Sequence, residues 1–102
     1  MNTTIKNENG RQTVYFEGRL DTAAAPQANI DVQPVMDNTE SDIILDCSQL
    51  QYISSSGLRI FLSILKNAKS QGHHVYIRGI NADITKVFKM TGFFNLFEFL
   101  EG

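Results

Sequence analysis

Three consecutive serines, Ser54, Ser55 and Ser56, followed by Gly57, are the residues whose types and spacing best suit chemistry in this chain. They stand between the apolar run "DIILDCS" and a segment of helical periodicity, which places them on a strand-to-helix turn. Three uses are open to a hydroxyl there: to cap the helix, to act as a nucleophile, or to accept a phosphoryl group. Nucleophilic hydrolysis fits poorly, because the segment lacks the Gly-x-Ser-x-Gly elbow and an activated serine needs a base within reach. His73 and His74, the two histidines, open the next strand and so lie at the opposite end of a parallel sheet from the serine turn. Phosphate cradling lacks the lysine of a P-loop and the glycine spacing of a dinucleotide fingerprint. A helix start still offers unpaired N–H groups and a positive dipole end. The same physics suits a phosphate carried covalently by one of the serines.

The remaining reactive side chains point to structure. His73 and His74 are adjacent on an expected strand, so they face opposite ways and cannot chelate one metal ion together. Cys47 is the single cysteine; within an apolar strand it reads as a small buried hydrophobe, and it permits no intrachain disulfide. No metal or cofactor is expected. A net charge of −2 gives no electrostatic reason to approach nucleic acid or anionic lipid. The N-terminus "MNTTIKNENG" has neither the basic nor the apolar region of a secretory signal, and no apolar run is long enough to span a membrane. These features imply a cytoplasmic setting without direct membrane contact.

The elements that must position the serines follow from patterning. With 102 residues, 42% of them hydrophobic, the chain makes one domain, residues 1–102, with a core that needs no disulfide or metal. "TTIKNENG" and "RQTVYFEGRL" read as two strands joined at Asn9-Gly10, a hairpin signal because both positions tolerate positive φ. "DTAAAPQANIDVQPVMD" reads as a helix opened by Asp21 or Thr22, with Ala25, Ala28, Val32 and Val35 on one face. Pro34 predicts a kink there, or an early end and a resumed short turn. "DIILDCS" has the continuous apolar character of a central strand covered on both sides. After the serines, Leu58, Phe61, Leu62, Leu65 and Ala68 repeat at helical spacing, and Gly72 ends the helix. "HHVYIRG" is a strand, "ADITKVFKMTG" a helix stopped at Gly92, and "FFNLFEFL" a short apolar segment ending in an edge strand. The order β-β-α-β-α-β-α-β implies an α/β fold with a mixed, mostly parallel sheet of four to five strands, the first antiparallel.

Three segments taken together, "FEGRLDTAAAP", "IILDCSQLQYISSSGLRIFL" and "VFKMTGFFNLFEF", resemble the STAS domain in its form as a bacterial anti-sigma factor antagonist. The similarity covers essentially the whole chain, in order and at the family's spacing. In that family the central motif is usually Asp-Ser-Ser-Gly-Leu, and its second serine is phosphorylated. Aligning Gly57-Leu58 makes Ser56 the counterpart of that serine and Ser55 its neighbour, while Ser54 stands where aspartate is usual. The resemblance implies the STAS fold and no enzymatic activity of the chain's own. It implies an unphosphorylated form that binds an anti-sigma factor serine kinase, phosphorylation that abolishes binding, and a phosphatase acting on the phosphoserine that restores it.

The partner surface expected on this basis comprises Asp21, at the end of a neighbouring parallel strand, with Ser54, Ser55, Ser56, Gly57, Arg59, Ile60 and Ser63. Gly57 fits two readings, close packing of the turn or access for a partner. Ile60 and Ile64 lie partly off the face set by Leu58, Leu62 and Leu65, which makes either an apolar contact surface or a wide core. A different role on the same fold is a STAS subunit regulating the ATPase of an ABC-type lipid transporter. Neither the identity of the partner nor the oligomeric state follows from the sequence.

Overall fold

The chain opens with the hairpin its turn chemistry predicts. In the computed structural model, which describes residues 1–37 and 40–100, β1 (Asn2–Glu8) pairs antiparallel with β2 (Arg11–Leu20). Asn9 and Gly10 both adopt positive φ, 53° and 76°, the two-residue turn that matches strand twist. Residues 21–37 then hold two short helices, α1 (Ala25–Asp31) and α2 (Gln33–Met36). Pro34 sits in the first turn of α2, where its missing N–H costs least, so the helix ends early and restarts. Ala25, Ala28, Val32 and Val35 are all buried.

Next come β3 (Ile43–Ile53), α3 (Ser55–Ser70), β4 (Val75–Arg78), α4 (Ala82–Met90), a 3₁₀ turn over Phe93–Leu96, and β5 (Glu98–Leu100). The five strands lie in sequence order, β1-β2-β3-β4-β5, all parallel after the first hairpin. Consecutive right-handed crossovers in that order put every helix on the same side of the sheet. One core cluster accordingly unites the buried residues of the helices with Val14, Leu45 and Ile77.

β3 is buried on both faces over residues 43–47, as its continuous apolar run implies, but helices cover only one of them. Its continuous burial has two different causes. On the helical face, Ile5, Val14, Leu45, Ile77 and Phe99 form one apolar row in register across all five strands. On the other face, the next row is Thr4, Tyr15, Asp46, Arg78 and Leu100, and the one beside it Lys6, Thr13, Ile44, Tyr76 and Glu98. Ile44 is buried there yet lies outside the helical core cluster. Long side chains, not a second layer of helices, cover it. Asp46 bonds Arg78 through Nε and Nη2, both at 2.8 Å, and Tyr15 donates to Glu8 at 2.6 Å.

β3 is also longer than the apolar run suggests. Against β2 it carries one extra residue between Asp46 and Gln49 and another between Leu50 and Tyr52. Each is a bulge, which bends the strand and shifts which side chain faces inward. The buried positions Cys47, Leu50 and Ile53 are hence three apart, not two. Strand geometry thus continues through 49–53 to the threshold of the serine turn.

Candidate functional site

Two neighbouring parallel strands end together and deliver the serines. Leu20, the last residue of β2, pairs with Ile53, the last of β3. The amide of Ser54 donates to the Leu20 carbonyl at 2.8 Å, so the turn is tied to the adjacent strand before the helix begins. Ser54 is extended (φ −91°, ψ 173°), and its hydroxyl accepts from the Gly57 amide at 3.2 Å. That is the side-chain N-cap of α3, and it satisfies one of the orphan donors at a helix start. The Ser54 carbonyl accepts the first helical bond, from Leu58. Ser54 is buried, and its amide, carbonyl and hydroxyl oxygen each take part in a hydrogen bond.

Ser55 and Ser56 are the next two residues, in the first turn of α3. Ser55 is exposed and Ser56 half-buried; neither hydroxyl has a hydrogen-bond partner among the described residues. The first turn contains no acidic residue. A negative charge on Ser56 thus meets free N–H groups and the positive end of a helix of 16 residues, with no carboxylate opposing it from that turn.

Gly57 is settled in favour of packing. A Cβ there would stand 2.7 Å from Leu20 Cγ and 2.8 Å from Ile53 Cγ1. The helix start is pressed against the two strand-end side chains so closely that only glycine fits. Ile60 is likewise core rather than surface: it and Ile64 are 6% and 1% exposed. Of the two readings of these isoleucines, the wide core is correct. The buried face of α3 runs through Gly57, Leu58, Ile60, Phe61, Ile64, Leu65 and Ala68, and Leu62 is only partly buried at its edge. Phe61 sets this face by packing on Phe16 and Phe88, ring centroids 5.0 and 6.2 Å away.

Arg59 and Ser63 are exposed. They follow Ser56 at i+3 and i+7, on one stripe of the helix, and the Ser63 hydroxyl donates back to the Arg59 carbonyl at 2.9 Å. Asp21 follows Leu20 directly, and its carboxylate accepts from the Ala24 amide at 2.9 Å, fixing the turn into α1. It is no N-cap of the helix proper, which begins at Ala25 without a side-chain cap. Asp21 and Ser54 are brought together at one rim by the Leu20–Ile53 pairing. The structure thus gathers Asp21, Ser54, Ser55 and Ser56 around the ends of β2 and β3, leaves Arg59 and Ser63 exposed further along α3, one and two turns from Ser56, and withdraws Gly57 and Ile60 into the interior.

Sequence reasoning missed Arg19 and Tyr52. They pair across β2 and β3 one residue before the strand ends, with the guanidinium 4.4 Å from the ring centroid. Tyr52 is 40% exposed, a large aromatic surface beside the serine turn. Its one available signal was an aromatic in a polar stretch, "QLQY", which the bulged strand disguises as a linker.

Other reactive groups lie elsewhere. The two histidines do not open the strand as expected, since β4 begins at Val75; they precede it and contact different carboxylates, Nδ1 of His73 lying 3.5 Å from Asp42 and that of His74 2.8 Å from Glu98. No cluster of three or more metal-ligating side chains occurs among the described residues. Cys47 is buried, and its burial with the nearby Asp46 carboxylate pushes its thiol well above the usual range. No described helix is long and apolar enough to cross a membrane.

The comparisons agree with this architecture. The anti-sigma-B factor antagonist of Staphylococcus aureus is 28% identical over 106 aligned residues, covering 100% of this chain and 96% of that protein. BtrV of Bordetella bronchiseptica is 27% identical over 97 residues, 95% of this chain and 84% of its own. Among solved structures, the fold is shared with an anti-sigma-factor antagonist (STAS) domain protein from Planctomyces limnophilus: TM-score 0.88, 11% identity, 98% of this chain and 90% of that one. It is also shared with the Bacillus cell fate determinant SpoIIAA in its phosphorylated form: TM-score 0.74, 16% identity, 99% and 91% coverage. Residues 2–101 match the STAS domain, and the chain belongs to that family.

Proposed function

We propose that this protein is an anti-sigma factor antagonist that works by partner switching, and that Ser56 is its switch. The observation that carries the proposal is the division of labour in the turn. Ser54 is committed to the cap, whereas Ser56, two residues on, presents a hydroxyl with no internal partner at a helix start free of acidic residues. In the unphosphorylated state the rim formed by Asp21, Ser55, Ser56, Arg59 and Ser63 contacts an anti-sigma factor that is itself a serine kinase. Tyr52 and Arg19 extend this surface with an aromatic face.

Phosphorylation of Ser56 adds about −1.5 to −2 charges and three acceptor oxygens. The helix start accommodates that charge through its free amides and dipole, so the fold survives. Arg59, one helical turn further on, is within reach of an i,i+3 pair with the phosphate. Such a pair occupies a cation that the unmodified protein offers to its partner. At the interface the added charge also requires desolvation, and each 1.4 kcal/mol, roughly, weakens binding tenfold. The complex is lost while the structure stays. A phosphatase that removes the group resets the module.

The test is incubation with the cognate anti-sigma kinase and ATP, followed by mapping of the phosphosite by mass spectrometry. Modification of Ser56 supports the reading. A phosphate placed on Ser54 or Ser55, or none, overturns it.

A further inference from the structure

The face of the sheet opposite the helices carries a second candidate site, unrelated to the serine turn. Asp46 at its centre pairs with Tyr15, five residues before Leu20 at the end of β2, which puts it roughly 17 Å from the strand ends that carry the serine turn, at a rise of about 3.3 Å per residue. A cavity of about 520 Å³ opens there, lined by Glu8, Arg11, Thr13, Tyr15, Ile44 and Arg78 with Asn9 and Leu100. That volume is within the usual range of small-molecule sites.

The polar groups around it are unevenly committed. Arg78 is neutralised by Asp46, and Glu8 accepts the Tyr15 hydroxyl. Arg11 has no carboxylate partner among the described residues. Its guanidinium lies over the Tyr76 ring, 5.3 Å from the centroid. Thr13 is 1% exposed, and its hydroxyl has no hydrogen-bond partner. Its register neighbours are Lys6 and Ile44, and Arg11 and Tyr15 flank it on the same face of β2. A buried hydroxyl left unpaired is unfavourable and needs an explanation. Here the groups crowding it are mainly long side chains with mobile charged tips, which can move aside for a ligand.

We propose that this cavity binds a small organic monoanion, a carboxylate with an apolar body. The carboxylate pairs with the Arg11 guanidinium, whose fork matches it in a bidentate fashion, and accepts from the Thr13 hydroxyl. The apolar body rests on Ile44 and Leu100, with the Tyr76 ring beside it in the same row as Ile44. The charge count selects a monoanion. Of the two cations that line the cavity, Arg78 is paired with Asp46 and Arg11 is not; Lys6, also without a carboxylate partner among the described residues, lies over the Tyr15 ring outside the lining, and Glu8 on the rim repels a second negative charge, which disfavours dianions.

The test is a titration of the ¹⁵N-labelled protein followed by amide chemical shifts, with sodium benzoate as probe and acetate and inorganic phosphate as controls. Benzoate is expected to saturate with Kd below about 1 mM, shifting the amides of Arg11, Thr13, Ile44 and Arg78 and leaving Ser54–Leu58 unmoved. Acetate, which lacks the body, and phosphate, which at the pH of about 8 used for the titration is mainly the dianion, are expected to bind roughly tenfold more weakly or not at all. Arg11→Gln, an exposed change at the start of β2, should weaken benzoate roughly tenfold, and Thr13→Val should do so to a smaller degree. Non-saturating shifts, phosphate binding as tightly as benzoate, or unchanged affinity in Arg11→Gln would each overturn the assignment.

Discussion

Ser54 donates its amide to the carbonyl of Leu20 at 2.8 Å and accepts from Gly57 with its hydroxyl. One residue thereby joins the end of β2 to the start of α3 and holds the neighbouring Ser56 at a fixed place on the rim. The cap is the mechanical part of the site, and the free hydroxyl two residues later is the chemical part.

Ser54→Ala removes the side-chain cap and is expected to cost about 1 kcal/mol, read as a lower urea midpoint with unchanged slope. Ser54→Asp caps equally well and should leave the midpoint within about 0.5 kcal/mol of the parent. An unchanged midpoint in Ser54→Ala would show that the cap does not hold the turn.

Gly57→Ala introduces a methyl against Leu20 and Ile53. Overpacking of this kind costs about 1–3 kcal/mol, against a gain of up to about 1 kcal/mol from the better helix former. A net loss of about 1–2 kcal/mol is expected in equilibrium denaturation. A stabilised variant would mean that the strand ends yield more readily than their packing implies.

The same glycine shows what the sequence could and could not reveal. The helix start, the hairpin and the order of elements were legible because each rests on local signals: Asn9-Gly10, the serines, and the period of Leu58, Phe61, Leu65 and Ala68. The close approach of Leu20 to Gly57 is a contact between distant segments, and no local pattern encodes it. The same applies to Ile60. Its burial depends on how α3 is rolled onto the sheet, and that roll is set by Phe61 packing on Phe16 and Phe88. The bulges in β3 hid Tyr52, because they replace the alternation by which a strand is recognised with a spacing of three. Ile44 and Asp46 misled in the opposite direction. Their burial reads as a two-sided core, whereas Tyr15, Tyr76 and Arg78 cover them from within the sheet's own open face.

Asp46 makes stability depend on acid. Burial alone pushes its carboxyl up, but hydrogen bonds from the Ser48 hydroxyl and amide, together with the Arg78 guanidinium, outweigh it and hold the group below the usual carboxylate value. The folded pKa is depressed, so the contribution is fully present above the unfolded value, about 3.9, and is lost as pH falls below it through the folded one. Asp46→Asn is expected to cost about 2 kcal/mol at neutral pH, below the range for a fully buried pair because Arg78 keeps contact with water. Urea midpoints measured from pH 7 downward should converge for parent and variant below about pH 4. A gap that persists undiminished in acid would remove the ion pair from the account.

Arg59→Gln tests the second half of the switch. If the phosphate on Ser56 recruits Arg59, the phosphorylated parent should show a raised thermal midpoint of α3 relative to phosphorylated Arg59→Gln, by about 0.5 kcal/mol in equivalent stability. The unphosphorylated proteins should differ in partner affinity and little in stability. Equal stability of the two phosphorylated forms would leave charge repulsion at the interface as the whole mechanism.

The central claim is that the state of one hydroxyl decides whether the partner binds. Capture of the anti-sigma factor by the parent, Ser56→Ala and Ser56→Asp proteins, each first shown to be folded by circular dichroism, tests it most directly. The account predicts that Ser56→Ala retains the partner whether or not kinase and ATP are present, and that Ser56→Asp weakens binding at least tenfold, about 1.4 kcal/mol. A Ser56→Asp protein that binds as the parent does, or a Ser56→Ala protein still released by kinase and ATP, would contradict it.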